Sequence, residues 1–360
     1  MPFRAPRLIA ACVLIHLFQL APAAGWQTSE PERLPSFGRP ELQPLDDIDR
    51  FDLAPLDVGA LFAEDAADEA VTLTKPRRVG QPRKVALSPA AFGTWEDLGA
   101  GSRLWRGRVR SPGALWLVLE MTTFRVPEGA QLFIYDPQLL TIQGPFGAAD
   151  VRDHGQLWST PVLGDTAVVE LFWPTRLKGV EPNVHLGMVS HGYRPWGGIG
   201  RDDPGVDAGA CNIDINCTLG DAWQDEKRGV VLTLVGGSRD CTGSLIAQAG
   251  GEDCKTYLLS AHHCHGNPSE ATSMSLMFNF ERPVCDSGVA PTDQVLGGGG
   301  VQRATFSSTD FTLVEMTNPP PAEFQPYWNG WSRSPNPATS TWGIHHPSND
   351  EKKICFNDDT

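Results

Sequence analysis

Between Leu104 and Val189 apolar and polar positions alternate in short runs, and a turn signal ends each run. Leu104 to Val109 interleaves apolar side chains with Arg106 and Arg108. Ala114 to Met121, Gln131 to Tyr135, Thr166 to Trp173 and Val184 to Val189 follow. Ser111-Pro-Gly113, Pro127-Glu-Gly129 and Leu163-Gly-Asp165 separate them. A period of two with Gly/Pro punctuation predicts half-buried strands, and many such strands in series predict a β-sandwich over residues 90–196. This block holds no cysteine, so its core must hold without staples, and Trp105, Trp116, Phe133, Phe172 and Trp173 are the candidates to supply much of it. Fully burying one large apolar side chain contributes roughly 1.5–3 kcal/mol.

After Cys211 the texture changes. Val230 to Val235, Thr242 to Ala247, Thr256 to Ser260, Ser275 to Phe280, Val301 to Phe306 and Phe311 to Glu315 read as strands. Six strands joined by loops fit one antiparallel barrel, although the pattern alone fits a sandwich too. Gly297 to Gly300 forms a loop before the fifth strand. Asn318-Pro-Pro-Pro321 opens an aromatic connector with Tyr327, Trp328 and Trp331, and Trp342-Gly-Ile-His-His346 reads as a single further strand. Upstream, residues 25–89 are Pro-rich and acidic. Val58, Leu61 and Phe62 stand at i, i+3, i+4, so Asp57 to Ala70 is either one acidic helix or a solvated segment. Residues 197–207, rich in Gly and Asp, read as a linker and processing region.

The chain has 360 residues, enough for two domains and a tail. A formal charge of −14 argues against general nucleic-acid binding, because phosphates would be repelled. Arg4 and Arg7 precede the apolar run Leu8 to Leu20, which ends at Ala21-Pro-Ala-Ala24. This reads as a signal peptide over residues 1–24, too short to span a bilayer. No later segment is apolar enough to cross one, so no membrane association is expected after its removal. Export means an oxidising compartment in which cysteines pair. Of eight cysteines Cys12 leaves with the signal, and the seven that remain lie between Cys211 and Cys355. An odd number leaves one without an internal partner.

Candidate chemistry concentrates in two motifs. Tyr257-Leu-Leu-Ser-Ala-His-His-Cys264 ends an apolar strand in a small residue, a histidine pair and a cysteine. Further on, Ser308-Thr-Asp-Phe-Thr-Leu-Val314 sets an aspartate at the mouth of another apolar strand. Serine hydrolysis of a peptide bond needs a histidine to take the hydroxyl proton, a carboxylate to hold its tautomer, and N–H groups for the oxyanion. His263 and Asp310 suit the first two roles in the chain order His, Asp, Ser. An aspartate starting an apolar strand is expected half-buried beside a cationic partner. Each motif alone also has a structural reading, as a core histidine beside a disulfide and as a strand cap. Metal binding is the competing chemistry for His262, His263, Cys264, His265, His345 and His346. Adjacent strand residues point to opposite faces, however, and neither H-E-x-x-H nor C-x-x-C spacing occurs, so neither a metal nor another cofactor is expected.

Ala208-Gly-Ala-Cys-Asn-Ile-Asp-Ile-Asn-Cys217, Asp240-Cys-Thr-Gly-Ser-Leu245, Ala261-His-His-Cys264, Thr309-Asp-Phe-Thr-Leu313 and Ile344-His-His-Pro347 with Glu351-Lys-Lys353 resemble the bacterial lysyl endopeptidase family, secreted trypsin-like serine proteases made as preproenzymes. The resemblance covers residues 205–360. It implies His263 as general base, in preference to His262, because the family's histidine directly precedes the cysteine. It implies Asp310 as the orienter, and disulfides Cys217–Cys285 and Cys241–Cys264. Cys254 and Cys355 match no family cysteine and are left to pair with each other, while Cys211 stays unpaired. The family's nucleophile sits in a Gly-x-Ser-Gly turn of a second barrel. Ser332, Ser334, Ser340 and Ser348 lack those flanks, and Ser244 matches a structural strand.

The expectation is therefore an all-β chain: a β-sandwich-like propeptide, then the first barrel of a chymotrypsin/trypsin-like double β-barrel over residues 208–360, with the second barrel largely missing and the chain inactive alone. The resemblance further implies polypeptide substrates, an intramolecular propeptide partner, a monomer, and processing near Gly205 or at Arg201. The alternative is a secreted protease-like binding protein that has lost catalysis.

Overall fold

The computed structural model describes residues 27–28, 30–69, 76–199, 208–209, 211–250, 255–336 and 338–358. The expected signal peptide, Arg201, Gly205 and Cys254 lie outside the described residues. The chain is predominantly β-structure, as its alternation predicts.

Two sheets build the N-terminal part. One runs in the order Gln27–Thr28, Ile142–Phe146, Gln131–Tyr135, Thr166–Trp173, Ser102–Arg110, Arg50–Asp52, with Thr94–Gly99 also on Ser102–Arg110. The other runs Leu157–Trp158, Trp116–Arg125, Asn183–Gly192, Gly80–Leu87, with Val162–Leu163 on Trp116–Arg125. Alternate residues of both sheets meet in one core: Val109, Ile134, Val169 and Leu171 from the first, Leu117, Leu119, Phe124 and Val189 from the second. The opposite face of the first sheet is also covered. Leu34 and Ile48 from the Pro-rich segment pack on Phe133, Tyr135, Ile142 and Val168. On that face the buried Glu170 accepts from the backbone N–H and hydroxyl of Ser36 and from the Tyr135 hydroxyl.

The acidic segment does form a helix, Val58–Glu69. Its anchor is polar as much as apolar. Leu61 is buried, but Phe62 stays half-exposed against Tyr193 and under Arg194. The buried Asp65 accepts from Tyr193 Oη at 2.6 Å, Arg78 Nε at 2.7 Å and Arg194 Nη2 at 3.0 Å. Burial opposes its charge, yet these three donors outweigh burial and hold its carboxyl below the ordinary range.

The C-terminal part is a curled sheet in the order Val295–Leu296, Ser275–Met277, Val230–Val235, Arg239–Ile246, Tyr257–Ser260, Phe311–Met316, Gly300–Phe306. Its concave side encloses Val231, Leu245, Leu258, Leu276, Phe278 and Val314. Trp342-Gly-Ile-His-His346 is not a solitary strand. Thr341–His345 pairs with Lys353–Asn357, which also takes Ile213–Asp214.

The convex side is equally dry. Every residue of Val230–Val235 is buried, and Leu232 and Leu234 face outward onto Val79, Trp116, Val118, Trp196 and Ile199. A strand buried on both faces reads as a near-continuous apolar run, here Val-Val-Leu-Thr-Leu-Val with Thr233 the single polar member. Trp196 is fully enclosed and its Nε1–H donates to the Thr233 carbonyl at 3.3 Å. Gly197, which the sequence assigns to the linker, donates its N–H to Asn349 Oδ1, and Ile199 is buried. Backbones touch at Gly80, where a Cβ would lie 2.3 Å from the Gly237 carbonyl oxygen. Beside that contact Arg77–Arg78 adds to Arg239–Ile246 as an antiparallel strand, with Arg77 opposite Asp240.

Replacing Trp196 by alanine is expected to cost about 3–5 kcal/mol in urea unfolding, because it empties the site of one of the junction's two fully buried tryptophans. Asp240 offers a second measurement. Burial pushes its carboxyl up from 3.8 to about 7, against the pull of Arg77 and Arg194. The folded state thus holds this proton more tightly than the unfolded chain. The associated stability is complete below the unfolded value of 3.8 and is lost as pH rises through about 7. Asp240→Asn is expected to recover on the order of 4 kcal/mol at pH 8 and nothing at pH 3.5. Equal pH dependence in parent and variant would refute this.

Candidate active site

The strand Tyr257–Ser260 is held on both sides, by Arg239–Ile246 and by Phe311–Met316. It ends in a tight turn in which the N–H groups of Cys264 and His265 both approach the Ala261 carbonyl at 3.2 Å. Cys264 is buried and bonded to Cys241 on the neighbouring strand, with 6.2 Å between their Cα atoms. His263 is thereby tethered one residue from a covalent link. Asp310 follows the turn Ser307–Thr309, in a left-handed conformation (φ 50°, ψ 45°), just before Phe311–Met316.

These two turns bring His263 and Asp310 into contact. The His263 backbone N–H donates to Asp310 Oδ1 at 2.9 Å, and its ring Nδ1 lies 2.6 Å from Asp310 Oδ2. The His263 N–H, then its ring, hold the Asp310 carboxyl below the usual range. An ionised carboxylate only accepts, so Nδ1 carries a proton, and the neutral ring so held has its lone pair on Nε2. The aspartate side chain keeps 49% of its exposure and the histidine side chain 37%, so Asp310 is more open to water than its place before an apolar strand suggests.

The other candidates are dispersed. His262 Nδ1 meets Thr305 Oγ1 at 2.8 Å. His265 is completely buried, neither ring nitrogen has a hydrogen-bond partner, and burial depresses it to about 3. His346 is buried, stacked on Phe280 and likewise pushed to about 3 by burial. Cys241, His263 and Cys264 lie close together, but both sulfurs are oxidised and thiolates are what bind metals. Cys217 and Cys285 are also bonded. Cys211 and Cys355 are free cysteines. Cys355 Sγ faces the Gly343 carbonyl at 3.7 Å across its hairpin, and its expected partner Cys254 lies outside the described residues. Ser332 and Ser334 accept N–H groups of Ser334 and Asn336, and Ser244 Oγ bonds Asn329 and the Leu245 carbonyl. Among the described residues no serine hydroxyl is hydrogen-bonded to His263.

The sequence reading passed over Thr305, Thr312 and Gln302, which gather behind the pair. Thr312 is fully buried in the strand Phe311–Met316, whose sequence pattern is set by its apolar neighbours. Opening the Cys241–Cys264 bridge by a double alanine substitution frees a loop spanning 23 positions, and about 3 kcal/mol of stability is expected to be lost in non-reducing urea unfolding.

Comparison with known proteins bears on both parts of the chain. Residues 52–193 match the profile of the lysyl endopeptidase N-terminal domain, and residues 206–360 that of the lysyl endopeptidase C-terminal domain. A lysyl endopeptidase of Pseudomonas aeruginosa is 29% identical over 217 residues, covering 57% of this chain and 46% of that protein. The chain thus spans about half the length of the curated relative it matches. Both profiles, in this order on one all-β chain, together with the relative, show that it belongs to the lysyl endopeptidase family.

Proposed function

We propose that this chain is exported and carries the proton-handling half of a serine endopeptidase, preceded by the pro-region that travels with it. The observation that carries the proposal is the double contact of Asp310 with the backbone and ring of His263. With Nδ1 protonated and held by a carboxylate, Nε2 takes the proton of an attacking serine hydroxyl as its oxygen bonds to the peptide carbonyl. Asp310 stabilises the resulting imidazolium. The same proton then passes from Nε2 to the departing amine as the C–N bond breaks, and water repeats the cycle on the acyl-enzyme. The substrates are polypeptides, and no cofactor enters this sequence of steps.

The attacking hydroxyl is not one of Ser332, Ser334, Ser340 or Ser348, whose flanks differ from the family's Gly-x-Ser-Gly turn. Export is supported by the leader-like residues 1–24 and by disulfides Cys217–Cys285 and Cys241–Cys264, which persist in oxidising compartments. The pro-region assignment to the sandwich over residues 90–196 is supported by the match to the family's N-terminal domain.

Two experiments test this reading. The 360-residue chain is expected to take no fluorophosphonate label beyond that of its His263→Ala control. In a longer chain that also carries the Gly-x-Ser-Gly serine, peptide hydrolysis should fall about 10⁴-fold on Asp310→Asn, which leaves the wrong tautomer. His263-dependent labelling of the 360-residue chain would place the nucleophile within it. Unchanged turnover in Asp310→Asn would remove the pair from catalysis and favour a binding protein.

A further inference from the structure

Behind the His263–Asp310 contact the same two turns are joined a second time, through hydroxyl groups. His262 Nδ1 lies 2.8 Å from Thr305 Oγ1, and Thr305 Oγ1 lies 2.6 Å from Thr312 Oγ1. Thr312 Oγ1 meets the His265 carbonyl at 3.0 Å, and Gln302 Nε2 donates to that carbonyl at 2.9 Å. Thr305 Oγ1 also approaches the Phe311 carbonyl at 3.1 Å. Thr305 and Thr312 face each other in register across the hairpin whose turn leads into Asp310. The links therefore run from residues on both sides of His263 to residues on both sides of Asp310.

Counting protons gives this chain a direction. Each threonine hydroxyl carries one proton. Those two protons already have three contacts to serve: the one between the hydroxyls, the His265 carbonyl and the Phe311 carbonyl. At most two of the three can be made at once, and a proton given to the imidazole would leave only one, so the number of bonds is greatest when His262 donates from Nδ1. Asp310 also needs outside support. It is not glycine, yet it holds a left-handed backbone, which a Cβ disfavours unless the surroundings over-determine it.

We propose that His262, Thr305 and Thr312 form a positioning brace that sets the approach of Asp310 to His263. The proposal rests on reading that pair as base and orienter. None of the three touches the reacting atoms; they act by fixing the two turns against each other. Thr312, fully buried, supplies the rigid end, and His262 beside the base supplies the other.

The test uses the isotope-labelled 360-residue chain. A histidine N–H held in a short bond to a carboxylate gives a far-downfield proton resonance that exchanges slowly with water. For His263 Nδ1–H it is expected in the parent and in Thr305→Ser, which keeps the hydroxyl. In Thr305→Val, nearly the same shape without it, the resonance should be lost or exchange at least tenfold faster, with a thermal melt confirming the fold. Should Thr305→Val not fold, His262→Phe removes the donor at the other end and carries the same readout. A resonance unchanged in position and exchange in the folded valine or phenylalanine variant overturns the brace alone. Its absence from the parent overturns the His263–Asp310 pairing, and the brace with it.

Discussion

Val230–Val235 is buried on both of its faces, and the organisation of the chain follows from that. Val231 on one face closes the curled sheet upon Leu245, Leu258 and Val314. Leu232 and Leu234 on the other meet Trp116 and Trp196, which belong to the sandwich and to the turn after it. A six-residue strand cannot keep both faces dry unless two layers supply the covering. The sandwich is therefore part of the folded sheet's environment and not an appendage on a flexible tether. The close backbone approach of Gly80 to Gly237 shows how near the two layers come.

The candidate site inherits its geometry from this buried framework while standing outside it. Val230–Val235 pairs with Arg239–Ile246, whose Cys241 is bonded to Cys264, one residue from His263. Arg239–Ile246 pairs with Tyr257–Ser260, and that with Phe311–Met316, at whose start Asp310 stands. Both turns project from strands whose inward residues, Leu258 and Val314, are fully buried. The polar pair can therefore be half-exposed and still be held at hydrogen-bond distance. Water weakens its Coulomb attraction, so placement depends on backbone donors and covalent restraint more than on charge.

The sequence made some of this legible and hid the rest for identifiable reasons. Short alternating runs such as Thr166 to Trp173 mark strands because one face is core. The i, i+3, i+4 spacing at Val58, Leu61 and Phe62 marks a helix. Local chemistry also marked His263 and Asp310, since each sits in a motif a few residues long. Asp65 could not be read, because Tyr193 and Arg194, two of its three partners, lie far along the chain and meet it only on folding. Trp196 and Ile199 were hidden beside glycines that signal a turn, which is correct locally and silent about burial. Trp342 to His346 lacked a visible partner because charged residues, Lys352 and Lys353, lead into the strand Lys353–Asn357. Their burial is offset by ion pairs: Lys352 with Glu281, and Lys353 with Asp214.

Apolar contact alone does not explain why the layers meet in one register. Hydrophobic burial is non-directional, and Val79, Trp116 and Trp196 would cover Leu232 and Leu234 almost as well after a small slide. The directional groups lie at the edges. The Val79 N–H reaches the Ser238 carbonyl at 2.8 Å, and the Ser238 hydroxyl returns to the Gly80 carbonyl at 3.0 Å. Arg78 ties this strand to Asp65 of the helix, and Asn349 grips Pro195 and Gly197 at the far side. Slipping the short strand by one residue would turn Arg77 and Arg78 to opposite faces, taking Arg78 from Asp65 and burying a guanidinium against leucine. The apolar side chains supply most of the attraction, and a few polar contacts exclude every register but one.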